Sequence, residues 1–179
     1  MHRAQDTKEP QRDALYARVA DEMAPALARL ADGFEADPHA REDLLQDIHL
    51  RIWRSLERFD GSGNLRAWVF RVAHNAAADH IARAVRRKPT RPSETGDVDG
   101  VAPGPGPAAL TETRDKAARL MACIRTLPPA DRHIIVLYLE GEPPRSIAAL
   151  TGLSPGAVSV RIHRLRTALT RDIERGEDV

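Results

Sequence analysis

Cations gather at two places in this 179-residue sequence, and each place pairs them with groups suited to nucleic acid. Arg83, Arg86, Arg87 and Lys88 follow one another with no acid among them, and upstream lies an elbow, Phe59-Asp60-Gly61-Ser62-Gly63, that carries an aromatic ring. A ring for stacking beside cations for phosphates suits a single nucleic-acid strand. Near the other end, Arg161 and Arg164 stand on an amphipathic segment opened by Ser154-Pro155-Gly156-Ala157. Small residues there let a backbone approach duplex DNA, and the arginines beyond can reach guanine edges or phosphates. His74, Asp79 and His80 are the residues to weigh as metal ligands, but they fall on different faces of one helix and form no ligand geometry. Cys123 is the only cysteine, which excludes an intrachain disulfide and a Cys-rich metal site. The chemistry on offer is binding; no cofactor, metal or catalytic set is expected.

The charge balance supports this only through its distribution. Lys and Arg number 27 against 26 Asp and Glu, a formal charge of +1. Bulk charge therefore announces no nucleic-acid partner, and the clustering at two helix ends carries the signal. Aromatic residues make up 4% of the chain, so each has to be located individually. No apolar run is long enough to span a bilayer and the N-terminus lacks the apolar core of a secretion signal, so no membrane insertion is expected and the default location is cytoplasmic.

Helices must hold both places. Leu15, Val19, Met23, Leu27 and Leu30 step at helical spacing between Arg12 and Ala31, and Asp37-Pro38 breaks that helix. Leu44, Leu45, Ile48, Ile52 and Leu56 share one face of a second helix, and Asp60-Gly61-Ser62-Gly63 turns the chain. Asn64 offers a cap to a third helix, whose stripe is Leu65, Trp68, Val69, Val72 and Ala76. These three helices predict a compact domain over residues 11–88. Residues 89–109 are rich in Pro, Gly and acids, including Glu94, Asp97 and Asp99, and read as a flexible linker.

Residues 110–176 predict a second helical domain. Leu120, Met121, Ile124 and Leu127 mark one helix, and Ile134, Ile135, Leu137 and Tyr138 another. Ile147, Ala148 and Leu150 supply a short helix, Gly152 a left-handed exit, and Leu153 a plug. Ser154 caps the last helix with Pro155 at its first position, completing a helix-turn-helix pattern. In that last helix Val158, Ile162, Leu165 and Leu169 face inward. Ala157, Val160, Arg161 and Arg164 lie on the other side, with Ser159 and His163 on a flank.

The two halves together resemble regions 2 and 4 of bacterial RNA polymerase sigma factors of the extracytoplasmic-function class. The first half carries the likeness in Glu42-Asp43-Leu44-Leu45-Gln46-Asp47, Ile52-Trp53-Arg54, Phe59-Asp60-Gly61, Leu65-Arg66-Ala67-Trp68, Arg71-Val72-Ala73-His74-Asn75 and Asp79. The second carries it in Leu127-Pro128-Pro129, Asp131-Arg132, Ile147-Ala148, Gly152-Leu153-Ser154, Val158, Arg161, Arg164 and Arg166. The resemblance implies an all-α protein of two small helical domains joined by a flexible linker: a three-helix region 2-like domain and a region 4-like helix-turn-helix domain. It implies a transcription initiation factor that binds RNA polymerase core and directs promoter recognition and melting. Its partners would be core polymerase, promoter DNA as duplex and as melted single strand, and an anti-sigma factor.

The resemblance also assigns residues. Asp43, Gln46, Asp47, Arg51 and Arg54 would meet the polymerase clamp. Ser55, Phe59 and Asn75 would line a pocket for a flipped base of the minus-ten element, at a cost of about a few kcal/mol for unstacking. Arg71, Arg83, Arg86 and Arg87 would meet phosphates there. Trp53 and Trp68 are expected to support the domain rather than to stack on bases. Ser159, Val160, Arg161, His163 and Arg164 would read the minus-thirty-five element from the major groove. The linker would thread through the polymerase cleft. Three departures from the family pattern stand out: His49 at a usually apolar position, Pro143-Pro144-Arg145 before the helix-turn-helix, and Ser159-Val160 where Lys or Arg and Ser are common. The changes at Ser159 and Val160 bear on promoter sequence rather than on membership. A helix-turn-helix regulator acting without polymerase is the alternative, and it leaves the pair of helices from Glu42 to Arg87 unexplained.

Overall fold

The computed structural model describes residues 8–61, 63–87 and 108–177, with side chains over 10–61, 63–86 and 114–175. Seven α-helices and one turn of 3-10 helix make up these residues: α1 Lys8–Phe34, α2 Pro38–Ser55, the 3-10 turn Leu56–Arg58, α3 Leu65–Arg87, α4 Ala108–Thr126, α5 Pro129–Leu139, α6 Pro144–Thr151 and α7 Pro155–Glu177. The all-α class and both helical groups are as the sequence implies. The expected linker, 89–109, lies outside the described residues except for Ala108 and Ala109, which already open α4.

Local signals set the helix ends. The Asp37 carboxylate accepts a hydrogen bond from the Ala40 amide at 2.8 Å and starts α2 with Pro38 at its first position. The Asn64 side chain accepts from the Arg66 amide at 2.9 Å and starts α3. Between them Gly61 and Gly63 hold φ of +78° and +97°, which a residue with a Cβ resists, so the elbow is built from glycine. Gly152 ends α6 at φ +75°, and the Ser154 hydroxyl accepts from the Ala157 amide at 3.2 Å to start α7.

Inward stripes follow the periodicity. Leu44, Ile48 and Ile52 of α2 are fully buried, as are Val69, Phe70, Ala73, Ala76 and Ala77 of α3. Val158, Ile162, Leu165 and Leu169 are buried along α7, and Ile134, Ile135 and Leu137 along α5. Pro25 interrupts the hydrogen bonding of α1 on its exposed side, while Met23, Ala26 and Leu27 keep the helix packed.

The sequence leaves the relative placement of the two helical groups open; here they share one continuous apolar cluster. α1 packs on α4 and α5, and α3 packs on α5 and α6. Gly33 makes the approach possible, because a Cβ there would lie 3.0 Å from Val136 Cγ2 and 3.6 Å from Ile124 Cγ2. Tertiary shape places these contacts, and no periodicity encodes them.

Candidate nucleic-acid and polymerase interfaces

The elbow between α2 and α3 forms the first candidate site. Ser55 ends α2, half-buried; its hydroxyl donates to the Ile52 carbonyl at 2.9 Å and accepts from Trp68 Nε1 at 3.4 Å. Phe59, at the end of the 3-10 turn, packs its ring 5.5 Å from that of Trp68 at 60°. The Arg71 guanidinium lies 4.5 Å from the Trp68 ring centroid, a cation–π contact. Phe59, Asn64, Trp68 and Arg71 line one side of an open cavity of about 420 Å³, and Arg145, Ser146, Ala149 and Leu150 of α6 line the other. Asn75 is exposed one helical turn beyond Arg71 and lies outside the cavity lining. Stacking surface, a cation and an exposed amide therefore follow one another along α3.

Trp68, expected to support the domain, packs against Phe59 and Arg71 and also forms part of the cavity wall. The signal lies in its i,i+3 relation to Arg71, which puts both on one helix face. Trp53 differs: Arg12 covers its ring at 3.7 Å and its Nε1 donates to Asp13 at 3.0 Å, tying down the start of α1.

The cations along α3 divide. Arg83 pairs with Asp47 at 3.0 Å, whereas Arg86 is exposed and donates only to its own helix, at the Ala82 carbonyl. The Arg87 side chain lies outside the described residues. Among the proposed polymerase contacts, Asp43, Gln46 and Arg54 are exposed on the outer face of α2. Asp47 and Arg51 are half-buried and engaged in a network between α2 and α3, with Arg51 bonded to Asp47 at 3.1 Å and to Asp79 at 2.6 Å. Burial pushes the Asp47 carboxyl up, but hydrogen bonds from Arg51 and Arg83 outweigh it and hold the group below its ordinary value. These two residues thus fasten α2 to α3. His49 sits at the α1–α2 seam, its Nδ1 3.1 Å from the Tyr16 hydroxyl, and burial lowers its pKa.

The second candidate site is the outer face of α7. Val160 is 53% exposed, and Ser159, His163 and Arg164 are exposed beside it. Gly156, Ala157, Val160, Arg161 and Arg164 line an open groove of about 660 Å³ with Leu153. Arg161 is half-buried and paired with Asp131 of α5, which raises its pKa and braces α7 against the second group's core. Ser159 bonds its hydroxyl to the Pro155 carbonyl at 3.0 Å within the helix. The face as a whole offers small residues at the helix start and a cation two turns on, the form that fits a major groove. Among the described residues no His, Cys, Asp and Glu group suits a metal ion, and no helix is long and apolar enough to cross a membrane.

Residues 19–87 match the family described as Sigma-70 region 2, and residues 117–169 match Sigma-70, region 4. The RNA polymerase sigma factor CnrH of Cupriavidus metallidurans is 34% identical over 151 residues, covering 81% of this chain and 79% of that protein. The chain belongs to the RNA polymerase sigma factors, in the extracytoplasmic-function class. A probable sigma factor of Xanthomonas campestris pv. campestris, RfaY, is 29% identical over 88% of this chain, which spans only 40% of that relative's length. The fold matches the solved structure of CnrH in complex with the cytosolic domain of CnrY at a TM-score of 0.65 and 23% identity, over 94% of this chain and 96% of that one.

Proposed function

We propose that this chain is a transcription initiation factor that binds RNA polymerase core and directs it to promoters, with the elbow reading a melted minus-ten strand and α7 reading the minus-thirty-five duplex. The observation that carries this reading is the aromatic and cationic surface of Phe59, Trp68 and Arg71 at the elbow, which sets ring faces for stacking beside a cation for phosphate. In this reading residues 11–88 are the region 2-like domain and 110–176 the region 4-like domain, with 89–109 between them, of which Ala108 and Ala109 already belong to α4. Ser55 positions the Trp68 indole, Phe59 and Trp68 offer ring faces, Asn75 reads a base edge, and Arg71, Arg83, Arg86 and Arg87 meet phosphates. Arg83 does so by exchanging Asp47 for a phosphate, two anions of equal use to a guanidinium. On α7, Ser159, Val160, His163 and Arg164 face the groove, and Arg161 holds the helix at its angle.

Asp43, Gln46 and Arg54 form the polymerase-facing surface of α2, with Asp47 and Arg51 keeping that surface in register with α3. An anti-sigma factor is the expected inhibitor, in keeping with the solved complexes of CnrH with CnrY and of a Bartonella quintana RpoE with the anti-sigma factor NepR. Transcription in vitro tests the proposal. Purified chain added to core polymerase gives RNA from a defined start, and core binding is seen by co-sedimentation. Duplex binding without any association with core would establish the stand-alone regulator instead.

A further inference from the structure

The turn that delivers Phe59 to the elbow is short and locally weak. Leu56–Arg58 is a single 3-10 turn, closed by the Phe59 amide on the Leu56 carbonyl at 3.1 Å. Such turns have poorer hydrogen-bond geometry than an α-helix, so tertiary contacts must hold this one in place. Downstream, Gly61 and Gly63 supply freedom rather than restraint. Phe59 therefore has to be located from the upstream side. Leu56, 4% exposed, anchors the turn in the core, and α1 packs against it.

The hold from α1 runs through Arg12. Its side chain is only 9% exposed; the guanidinium lies 3.7 Å from the Trp53 ring centroid, and Nη1 donates to the Glu57 carboxylate at 2.5 Å. Glu57 is the middle residue of the 3-10 turn. Asp13 accepts from Trp53 Nε1 at 3.0 Å, so the indole is held at its face by one residue of α1 and at its edge by the next. A planar, always-charged guanidinium can meet an aromatic face and a carboxylate together. With little water around it, both attractions are stronger than on an open surface. Fastening α1 to α2 needs only the Trp53 contacts. The bond to Glu57 goes further, onto the turn two residues before Phe59. Arg12 and Asp13 also lie ahead of residue 19, where the match to region 2 begins.

We propose that Arg12 is a positioning residue for promoter opening: through Trp53 and Glu57 it fixes the 3-10 turn, and so sets where the Phe59 ring stands when a minus-ten strand arrives. The proposal rests on the elbow being the minus-ten reader. Its test uses holoenzyme assembled from core polymerase and the full chain, on a promoter from which wild-type holoenzyme initiates, with a fluorescent base analogue in the minus-ten element to report unstacking. Opening rates are taken per active complex, after titration of the active fraction, because a variant that only folds less well changes that fraction and not the rate. Arg12→Ala and Glu57→Ala are each expected to slow opening about tenfold, equivalent to about 1.4 kcal/mol, with affinity for core and for minus-thirty-five duplex within about twofold of wild type. The double variant is expected to be no slower than Arg12→Ala alone, since both substitutions remove one interaction. Wild-type opening rates in the single variants overturn the proposal. So does a double variant slowed by the product of the two singles, because Arg12 would then not act through Glu57. If Arg12→Ala does not fold, the exposed Glu57→Ala decides alone, and a wild-type rate there overturns the proposal. Phe59→Ala separates the two layers of the argument: slow opening in Phe59→Ala beside wild-type rates in the Arg12 and Glu57 variants overturns the positioning role alone, whereas wild-type opening in Phe59→Ala overturns the elbow as reader and the positioning role with it.

Discussion

Acid should weaken this protein through one buried imidazole, well before its carboxylates respond. His133 is 1% exposed, and burial, with a smaller contribution from repulsion by His74, pushes its pKa down from 6.5 to about 2. The native ring is therefore neutral across ordinary pH. Any state that wets the ring, by opening or by unfolding, binds a proton near pH 6.5. Below that pH the non-native state holds more protons, so stability falls as pH falls; it is fully present above about 6.5 and drains away toward about 2. Each unit within this window costs about 1.4 kcal/mol, so moving from pH 7 to pH 5 removes about 2 kcal/mol from a total of roughly 5–15 kcal/mol. His74 and His49, lowered by burial, add slope in the same direction. Glu35 is also held below its ordinary value: burial opposes this, but hydrogen bonds from His80 and nearby backbone amides prevail. Its contribution, like that of Asp47, is lost only as pH falls below the ordinary carboxylate values of 4.5 and 3.8, which leaves pH 5 to 6.5 to the imidazoles. Urea unfolding of wild type and His133→Leu at pH 7, 6 and 5 measures the effect. The variant should lose about one proton's worth of slope, roughly 1.4 kcal/mol per pH unit in this window. Its stability at pH 7 should stay close to wild type or rise, since two unpaired nitrogens leave the core. Parallel slopes for the two proteins would refute the argument.

The other predictions address the reading surfaces and the core. Asn75→Ala should slow open-complex formation about tenfold or more while leaving duplex binding within about twofold, as expected of a residue that meets an unstacked base; unchanged opening kinetics would remove Asn75 from that role. Arg164→Ala should lower affinity for minus-thirty-five DNA by about 1–3 kcal/mol in a fluorescence anisotropy titration, with core affinity unaltered. Equal affinity would count against α7 as the reader. Phe70→Ala, at the fully buried centre of α3, should cost about 3–5 kcal/mol of unfolding free energy by urea titration, and a cost below about 1 kcal/mol would contradict its place in the core.

Much of this molecule is written in short-range sequence. The inward stripe of α7, the glycines of the elbow, and the caps at Asp37, Asn64 and Ser154 all act within one or two helical turns. Their positions can therefore be read directly from residue type and spacing. The order of motifs along the chain likewise identifies both family regions. Other facts have no local signature. Asp47 and Arg51 look like surface residues of α2, and only the placement of α3 turns them into partners of Arg83 and Asp79. Arg66 finds Glu142 across 76 residues, and His74 finds His133 across the segment that joins the two halves. Helix period fixes which face of an element is apolar; which neighbour covers that face is settled by how whole helices fit, by a missing Cβ at Gly33, and by charges that meet only once the fold has closed.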